Sequence, residues 1–359
     1  MPSLFDPVAI GSLTCPNRIF MAPLTRGRAT RDHVPTPIMA TYYRQRASAG
    51  LIITEATGIS QQGLGWPYAP GIWSEEQAEA WKPIVAGVHD AGGRIFCQLW
   101  HMGRVVHPSF LGGEAPVSAS ATTAPHKAHT YDGRQPYAEA RPLRADEIPG
   151  LLGDYRRAAA LAIAAGFDGV QLHAANGYLI DQFLRDGTNL REDEYGGPIE
   201  NRIRLLRDAA GVIADEIGPE RTAVRLSPSS ASQGCADSDP EPLFTAAAAA
   251  LQEIGIAFLE LREPGPEGTF GTADGPAIAP AIRKVFTGPL VLNSDYVLEN
   301  AEEALAEERC DAIAFGRTFL ANPDLPHRLA SRLPLNSDDR ATWYSQGEEG
   351  YTDYPEAGV

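Results

Sequence analysis

The residues best able to do chemistry lie in one run, Gln171-Leu172-His173-Ala174-Ala175-Asn176-Gly177-Tyr178, continued by Leu179-Ile180-Asp181-Gln182-Phe183-Leu184. An imidazole, a carboxamide and a phenol follow a strand-like apolar segment between His173 and Tyr178. Imidazole and amide can both donate hydrogen bonds to one oxygen, and a phenol beside them can supply a proton. A lone histidine is more often a satisfied structural residue. Here three polar groups of different chemistry converge, which favours a site.

Other segments are weaker taken singly. Met21-Ala22-Pro23-Leu24-Thr25-Arg26 ends an apolar run, with Pro23 stiffening the turn and Thr25 offering a hydroxyl; a helix-capping threonine is the blander reading. Gln98 begins Gln98-Leu99-Trp100-His101-Met102-Gly103-Arg104, and its amide can pair with a ligand that carries donors and acceptors, or simply face solvent. Arg225 sits inside the apolar run Thr222–Ser227, where a cation is costly unless paired. It pairs either with a carboxylate such as Glu260 or with an anionic cofactor ring. Asn293-Ser294-Asp295 and Phe315-Gly316-Arg317 end two further runs. Gly316 admits close backbone approach, and Arg317 offers a forked cationic donor, a pairing suited to phosphate.

Strands and helices must position these groups. Eight short apolar runs read as strands: Ile19–Ala22, Leu51–Glu55, Arg94–Gln98, Gly169–His173, Thr222–Ser227, Ala257–Leu261, Pro289–Asn293 and Ala312–Phe315. Several are apolar at nearly every position, as parallel strands buried on both faces are. Between them lie helical stripes. From Pro198, residues Ile199, Ile203, Leu206, Ala210, Ile213 and Ile217 recur on one face, and Gly218-Pro219 stops the run. A second stripe, Ile148 to Ala162, ends at Gly166, and a third runs from about Pro242 to Ile254. Strand–helix repeated eight times predicts a single α/β TIM (β/α)8 barrel, whose active sites sit at the C-terminal ends of the strands. The candidate residues fall at those ends. Residues 100–141 read as a long insertion after strand three, and the segment from about 335 to 359 as an ordered C-terminal tail. No linker is evident, so residues 1–359 read as one domain.

The 359 residues carry a net charge of −16, which repels phosphate backbones and argues against nucleic-acid binding. Cys15, Cys97, Cys235 and Cys310 are scattered, which argues against a disulfide framework and a structural metal. Neither a signal peptide nor a membrane-spanning run is legible, so a cytoplasmic location is expected.

Taken in order, APLTR, EAT, QLWHMGR, HAANGYLIDQFL, YGG-x-x-ENR, VRLSPSS, FGRTFLANPDL and EGYTDYP resemble the old yellow enzyme family over nearly the whole chain. The likeness is closest to its bacterial branch of cyclohexenone and nitrate-ester reductases, and GWPYAPGIWS, Gly65–Ser74, strengthens that placement. The resemblance implies non-covalent FMN, with NADH or NADPH as reductant and an activated alkene or nitro compound as substrate, in a monomer or homodimer. It places Pro23, Leu24, Thr25 and Ala56 along the flavin, Gln98 and Arg225 at its pyrimidine edge, and Ser294, Asp295, Gly316 and Arg317 at its phosphate end. His173 and Asn176 would bind the substrate oxygen, with His173 also against the flavin. Trp66, Trp100 and Tyr351 would border the pocket. The implied catalytic set is His173, Asn176, Tyr178 and Thr25: hydride passes from flavin N5 to the β-carbon, Tyr178 protonates the α-carbon, and Thr25 tunes the flavin. Two departures stand out: many relatives have histidine at Asn176 and glycine at Ser294. A nitrate-ester or nitroaromatic reductase using the same site is the nearest alternative. A flavin-free lyase barrel ranks lower, because lysine occurs only at Lys82, Lys127 and Lys284, none at a strand end. A non-catalytic barrel that binds a phosphorylated ligand is the third.

Overall fold

The computed structural model describes residues 2–265, 268, 272, 273 and 275–358. Its main sheet is a closed parallel barrel. Ile19–Met21, Ile52–Ile53, Ile95–Trp100, Gly169–His173, Thr222–Leu226, Phe258–Arg262, Leu290–Asn293 and Ala312–Phe315 follow one another round the ring, the last pairing with the first. We number these barrel strands one to eight. Thr57–Gly58 adds a short extension beside strand three. The (β/α)8 expectation therefore holds, with some boundaries moved. Strand two is shorter than expected, strand three runs on to Trp100, and strand six reaches Arg262.

Helices pack outside the ring, including Glu75–Asp90, Ile148–Ala164, Arg204–Ile217 and Pro240–Ile254. The stripe from Pro198 forms two pieces, Ile199–Arg202 and Arg204–Ile217, parted at Ile203. Pro198 is the residue before the helix rather than its first, and Gly218, at φ 93°, ends it as expected.

Side chains alternate across each strand, and this alternation builds both core and site. Outward residues such as Ile19, Val170, Leu172, Val224, Leu259, Leu261 and Ile313 pack against the helices. Inward residues near the N-terminal end, including Phe20, Phe96, Ala223, Phe258, Val291 and Ala312, fill the barrel floor. The N-terminal hairpin Val8–Ile10/Leu13–Cys15 contributes to that same cluster. Further up, the inward positions become Gln98, Gln171, Arg225, Glu260, Arg262 and Asn293. One end of the interior is thus an aromatic plug, and the other a polar floor for a cavity.

The insertion after strand three holds the hairpin Lys127–Thr130/Gly133–Pro136 and two short 3₁₀ turns, Gly103–Val105 and Pro108–Phe110. The tail is docked by buried arginines. Arg26 donates to the carbonyls of Trp343 (3.1 Å) and Gly350 (2.6 Å), and Arg28 to those of Thr342 (3.1 Å) and Trp343 (3.0 Å). Among the described residues no helix is long and apolar enough to cross a membrane, and no cluster of potential metal ligands is present. The four cysteines are buried free thiols.

Candidate active site

At the C-terminal mouth of the barrel lies a cavity of about 1260 Å³, open to solvent. Every barrel strand contributes to its wall, either at its last residues or just beyond them. They supply Ala22 to Thr25, Ala56, Gln98 and Trp100, His173 with Asn176 and Tyr178, Arg225, Arg262, Asn293 to Tyr296, and Ala314 to Thr318. Trp66, Leu320, Trp343 and Tyr344 close the sides.

The polar floor is a chain of buried contacts across six strands, three to eight. Gln98 Nε2 donates to Gln171 Oε1 (2.7 Å), and Gln171 Nε2 donates to Glu260 Oε2 (2.7 Å). Glu260 Oε1 lies 2.9 Å from Arg225 Nε, an ion pair off the hydrogen-bond line. Arg225 Nη2 donates to Asn293 Oδ1 (2.7 Å), whose amide donates to the Ala314 carbonyl (2.7 Å). In-register pairing of Gln98 with Gln171 and of Arg225 with Glu260 makes this chain possible. Arg225 is paired with Glu260, as the first of its two readings expects, and its guanidinium also lines the cavity. Gln98 gives one of its two amide N–H groups to Gln171, and that contact fixes which end of the amide is the oxygen, an acceptor.

His173, at the end of strand four, accepts a hydrogen bond at Nδ1 from the Ala175 amide (3.3 Å). That contact puts the proton of the neutral ring on Nε2, a donor. Burial, followed by Arg225 and Arg262, pulls its pKa well below the ordinary value, so the ring is neutral. Tyr178 stands edge-on to both His173 (centroids 4.9 Å, 88°) and Trp100 (5.0 Å, 83°). Burial pushes its pKa up, so the phenol keeps its proton.

The loop between them is held from below. Asn176 has φ 59°, a left-handed conformation that asparagine tolerates better than most residues. Its backbone N–H donates to Ser227 Oγ (2.7 Å). Asp181 accepts from the Gly177 amide (2.8 Å), and Gln182 Nε2 donates to the Gly177 carbonyl (2.8 Å). Arg185 pairs with Asp181 (2.7 Å) and donates to the Ser227 carbonyl (2.6 Å). The Asp-Gln of the short helix Leu179–Leu184 thus fixes the turn that carries Asn176 and Tyr178.

Pro23, Leu24, Thr25, Ala56, Gln98, Trp66, Trp100, His173, Asn176, Tyr178, Arg225, Ser294, Asp295, Gly316 and Arg317 all line the one cavity. Thr25 caps no helix, since the first helix begins at Pro37. Ser294 has φ 134°, a backbone that suits glycine, so its side chain is carried at some strain. Tyr351 is the correction. It is buried away from the cavity, stacked on Tyr42 (4.1 Å, 8°), with Arg28 over its ring at 4.5 Å. The tail residues that reach the cavity are Trp343 and Tyr344, and Tyr344 packs edge-on to Trp66 at 5.0 Å. Arg262 was also missed. Ending strand six at Leu261 left it off the strand, whereas the alternation Phe258, Glu260, Arg262 turns it inward.

Residues 3–336 match the NADH:flavin oxidoreductase / NADH oxidase family. The chain belongs to that family. Its cofactor is FMN and its reductant is NADH or NADPH. An old yellow enzyme homologue from Zymomonas mobilis superimposes with TM-score 0.98 at 63% identity, covering 99% of each chain. Morphinone reductase in complex with tetrahydroNAD gives TM-score 0.94 at 44% identity, covering 100% of this chain and 98% of its own. Among curated relatives, 12-oxophytodienoate reductase 2 of Arabidopsis thaliana is 41% identical over 357 residues, 98% of this chain and 95% of the relative. This NAD(P)H-dependent flavin oxidoreductase thus sits in the bacterial old yellow enzyme branch.

The residues present fit FMN. The wall offers an acceptor at Gln98 and a cation at Arg225 on the polar floor, and another cation at Arg317, 3.5 Å from Asp295. A Cβ built on Gly316 would meet only Leu24, at 3.6 Å. The protein thus leaves open space over Gly316, where a ligand has room to approach the backbone.

Proposed function

We propose that the chain is an ene-reductase that reduces the C=C bond of alkenes conjugated to a carbonyl or nitro group. The observation that carries this reading is the pair His173 and Asn176, which offer donors to one region of the cavity beside a protonated Tyr178. FMN, when bound, would supply the hydride chemistry that links reduced nicotinamide to the β-carbon of the alkene. Pro23, Leu24, Thr25 and Ala56 would lie along the FMN ring system, with Gln98 and Arg225 at its pyrimidine edge. Ser294, Asp295, Gly316 and Arg317 would hold the phosphate end.

His173 Nε2–H and the Asn176 amide donate to the activating oxygen and stabilise the charge that develops there. One such preorganised donor is worth about 2.7–4 kcal/mol. Tyr178 hands its hydroxyl proton to the α-carbon. Trp66, Trp100 and Tyr344 wall the substrate side and exclude water.

The test is an anaerobic two-step experiment on the flavin-bound protein. NADH or NADPH should bleach the flavin absorption. 2-Cyclohexen-1-one or a nitroalkene should restore it, yielding the saturated product. Restoration by a nitrate ester, with neither alkene reacting, would replace this reading with the nitrate-ester reductase alternative.

A further inference from the structure

Arg262 enters the cavity from the end of strand six and donates from Nη1 to Asn176 Oδ1 at 3.2 Å. Strand pairing sets Arg262 opposite Asn293, whose side chain is already engaged with Arg225. The contact decides a chemical question that the Asn176 side chain leaves open by itself. A carboxamide can present either an acceptor oxygen or a donor NH₂, and the two ends have nearly the same shape. A guanidinium has donors and no acceptor. Whichever end of the amide meets Arg262 must therefore be the oxygen, and the NH₂ is turned to the cavity. Burial, with Arg225 adding to it, lowers the Arg262 pKa to about 10, which leaves it a charged donor at neutral pH.

We infer that Arg262 is a positioning residue that locks the Asn176 amide so that the site presents donors alone to the substrate's activating group. This inference rests on the proposed alkene-reductase reading and sharpens its substrate class. With His173 fixed as a donor through Nε2 and Asn176 fixed as a donor through Nδ2, an activating group must bring an acceptor oxygen. Ketones, aldehydes and nitro groups qualify. Alkenes that carry only a hydroxyl or amine gain nothing from the pair when they present a donor. Without Arg262 the amide can turn over, and Oδ1 would then face the substrate oxygen and repel it.

A double-mutant cycle tests this on FMN-loaded protein, with the dissociation constant of 2-cyclohexen-1-one for the oxidised enzyme read by calorimetry, where no turnover occurs. Arg262→Met should weaken ketone binding by about tenfold, the scale of a hydrogen bond to a charged group. In an Asn176→Ala background the same change should cost less than about twofold, because the group it orients is gone. An equal loss in both backgrounds, or no loss in the parent, overturns the inference. Should Arg262→Met fail to retain FMN, Arg262→Gln, whose own amide can present either end and so no longer fixes Asn176, goes through the same cycle, and the same two outcomes decide. An FMN-loaded parent that does not bind the ketone at all sinks the alkene-reductase reading and takes this inference with it. A parent that binds it with additive losses sinks the inference alone.

Discussion

At the scale of single residues, the site works by holding protons in fixed places. Burial keeps His173 neutral and Tyr178 protonated, and each state suits its proposed task. Tyr178→Phe should leave flavin reduction by nicotinamide within about twofold while slowing alkene reduction by about 10²-fold, the lower end of general acid contributions. Stopped-flow absorbance of the two half-reactions separates them, and equal rates in both would remove the proton-donor role. The depressed His173 pKa carries a pH prediction. A ring that stays neutral below its ordinary value of about 6.5 keeps its Nε2–H donation unchanged as pH falls. The alkene half-reaction should therefore show no inflection between pH 8 and 6 attributable to His173. An inflection near 6.5 that disappears in His173→Asn would contradict the neutral-donor assignment.

At the scale of elements, the turn 174–178 and the C-terminal tail are the parts that shape the site. Gly177 has φ +76°, and a Cβ there would meet the Ser232 carbonyl oxygen at 2.3 Å. Gly177→Ala should cost about 1–3 kcal/mol of backbone strain and displace Asn176 and Tyr178 together. The expected outcome is slowed alkene reduction with FMN retained, checked by flavin content and half-reaction rates. An unchanged alkene rate would mean that the turn is slack. Arg28 donates to the carbonyls of Thr342 (3.1 Å), Trp343 (3.0 Å) and Glu349 (3.2 Å), and so holds the segment that brings Trp343 and Tyr344 to the cavity. Arg28→Ala should loosen that wall, raising the alkene KM by about tenfold, roughly the value of one charged hydrogen bond. It should also open the tail to limited proteolysis. An unaltered cleavage pattern and KM would show that the aromatic contacts suffice.

At the scale of the whole molecule, the barrel buries several titratable groups whose protonation must match the fold. His101 accepts from the Gly103 amide at Nδ1 (3.1 Å) and has no partner at Nε2 among the described residues, and burial lowers its pKa from 6.5 to about 3. The unfolded chain takes a proton on this histidine below 6.5 and the folded chain does not. Stability is thus full above pH 6.5 and is lost as pH falls towards about 3, by about 1.4 kcal/mol per unit for each such group. His101→Asn keeps an acceptor for Gly103 and removes the titration. Its melting temperature should decline less between pH 7 and 5 than that of the parent, and parallel curves would show that His101 does not set the acid limit.

The sequence by itself determined the order of strands and helices, because buried parallel strands and amphipathic helices differ in hydrophobic period. It also marked candidate residues, because His173, Asn176, Tyr178, Gln98 and Arg225 fall in or just after the C-terminal halves of strands, and all five line one cavity. Tertiary structure decided what each group can do. The Nδ1 contact from Ala175 selects the His173 tautomer, and the contact from Arg262 selects which end of Asn176 faces the ligand; neither partner is marked by a local pattern. Which tail aromatic reaches the cavity was likewise illegible. Tyr344 and Tyr351 are chemically alike, and only the docking of the tail on Arg26 and Arg28 sends one to the mouth and buries the other against Tyr42. Period and composition are local properties of a chain, whereas proton positions and side-chain direction depend on groups brought together from distant parts of it.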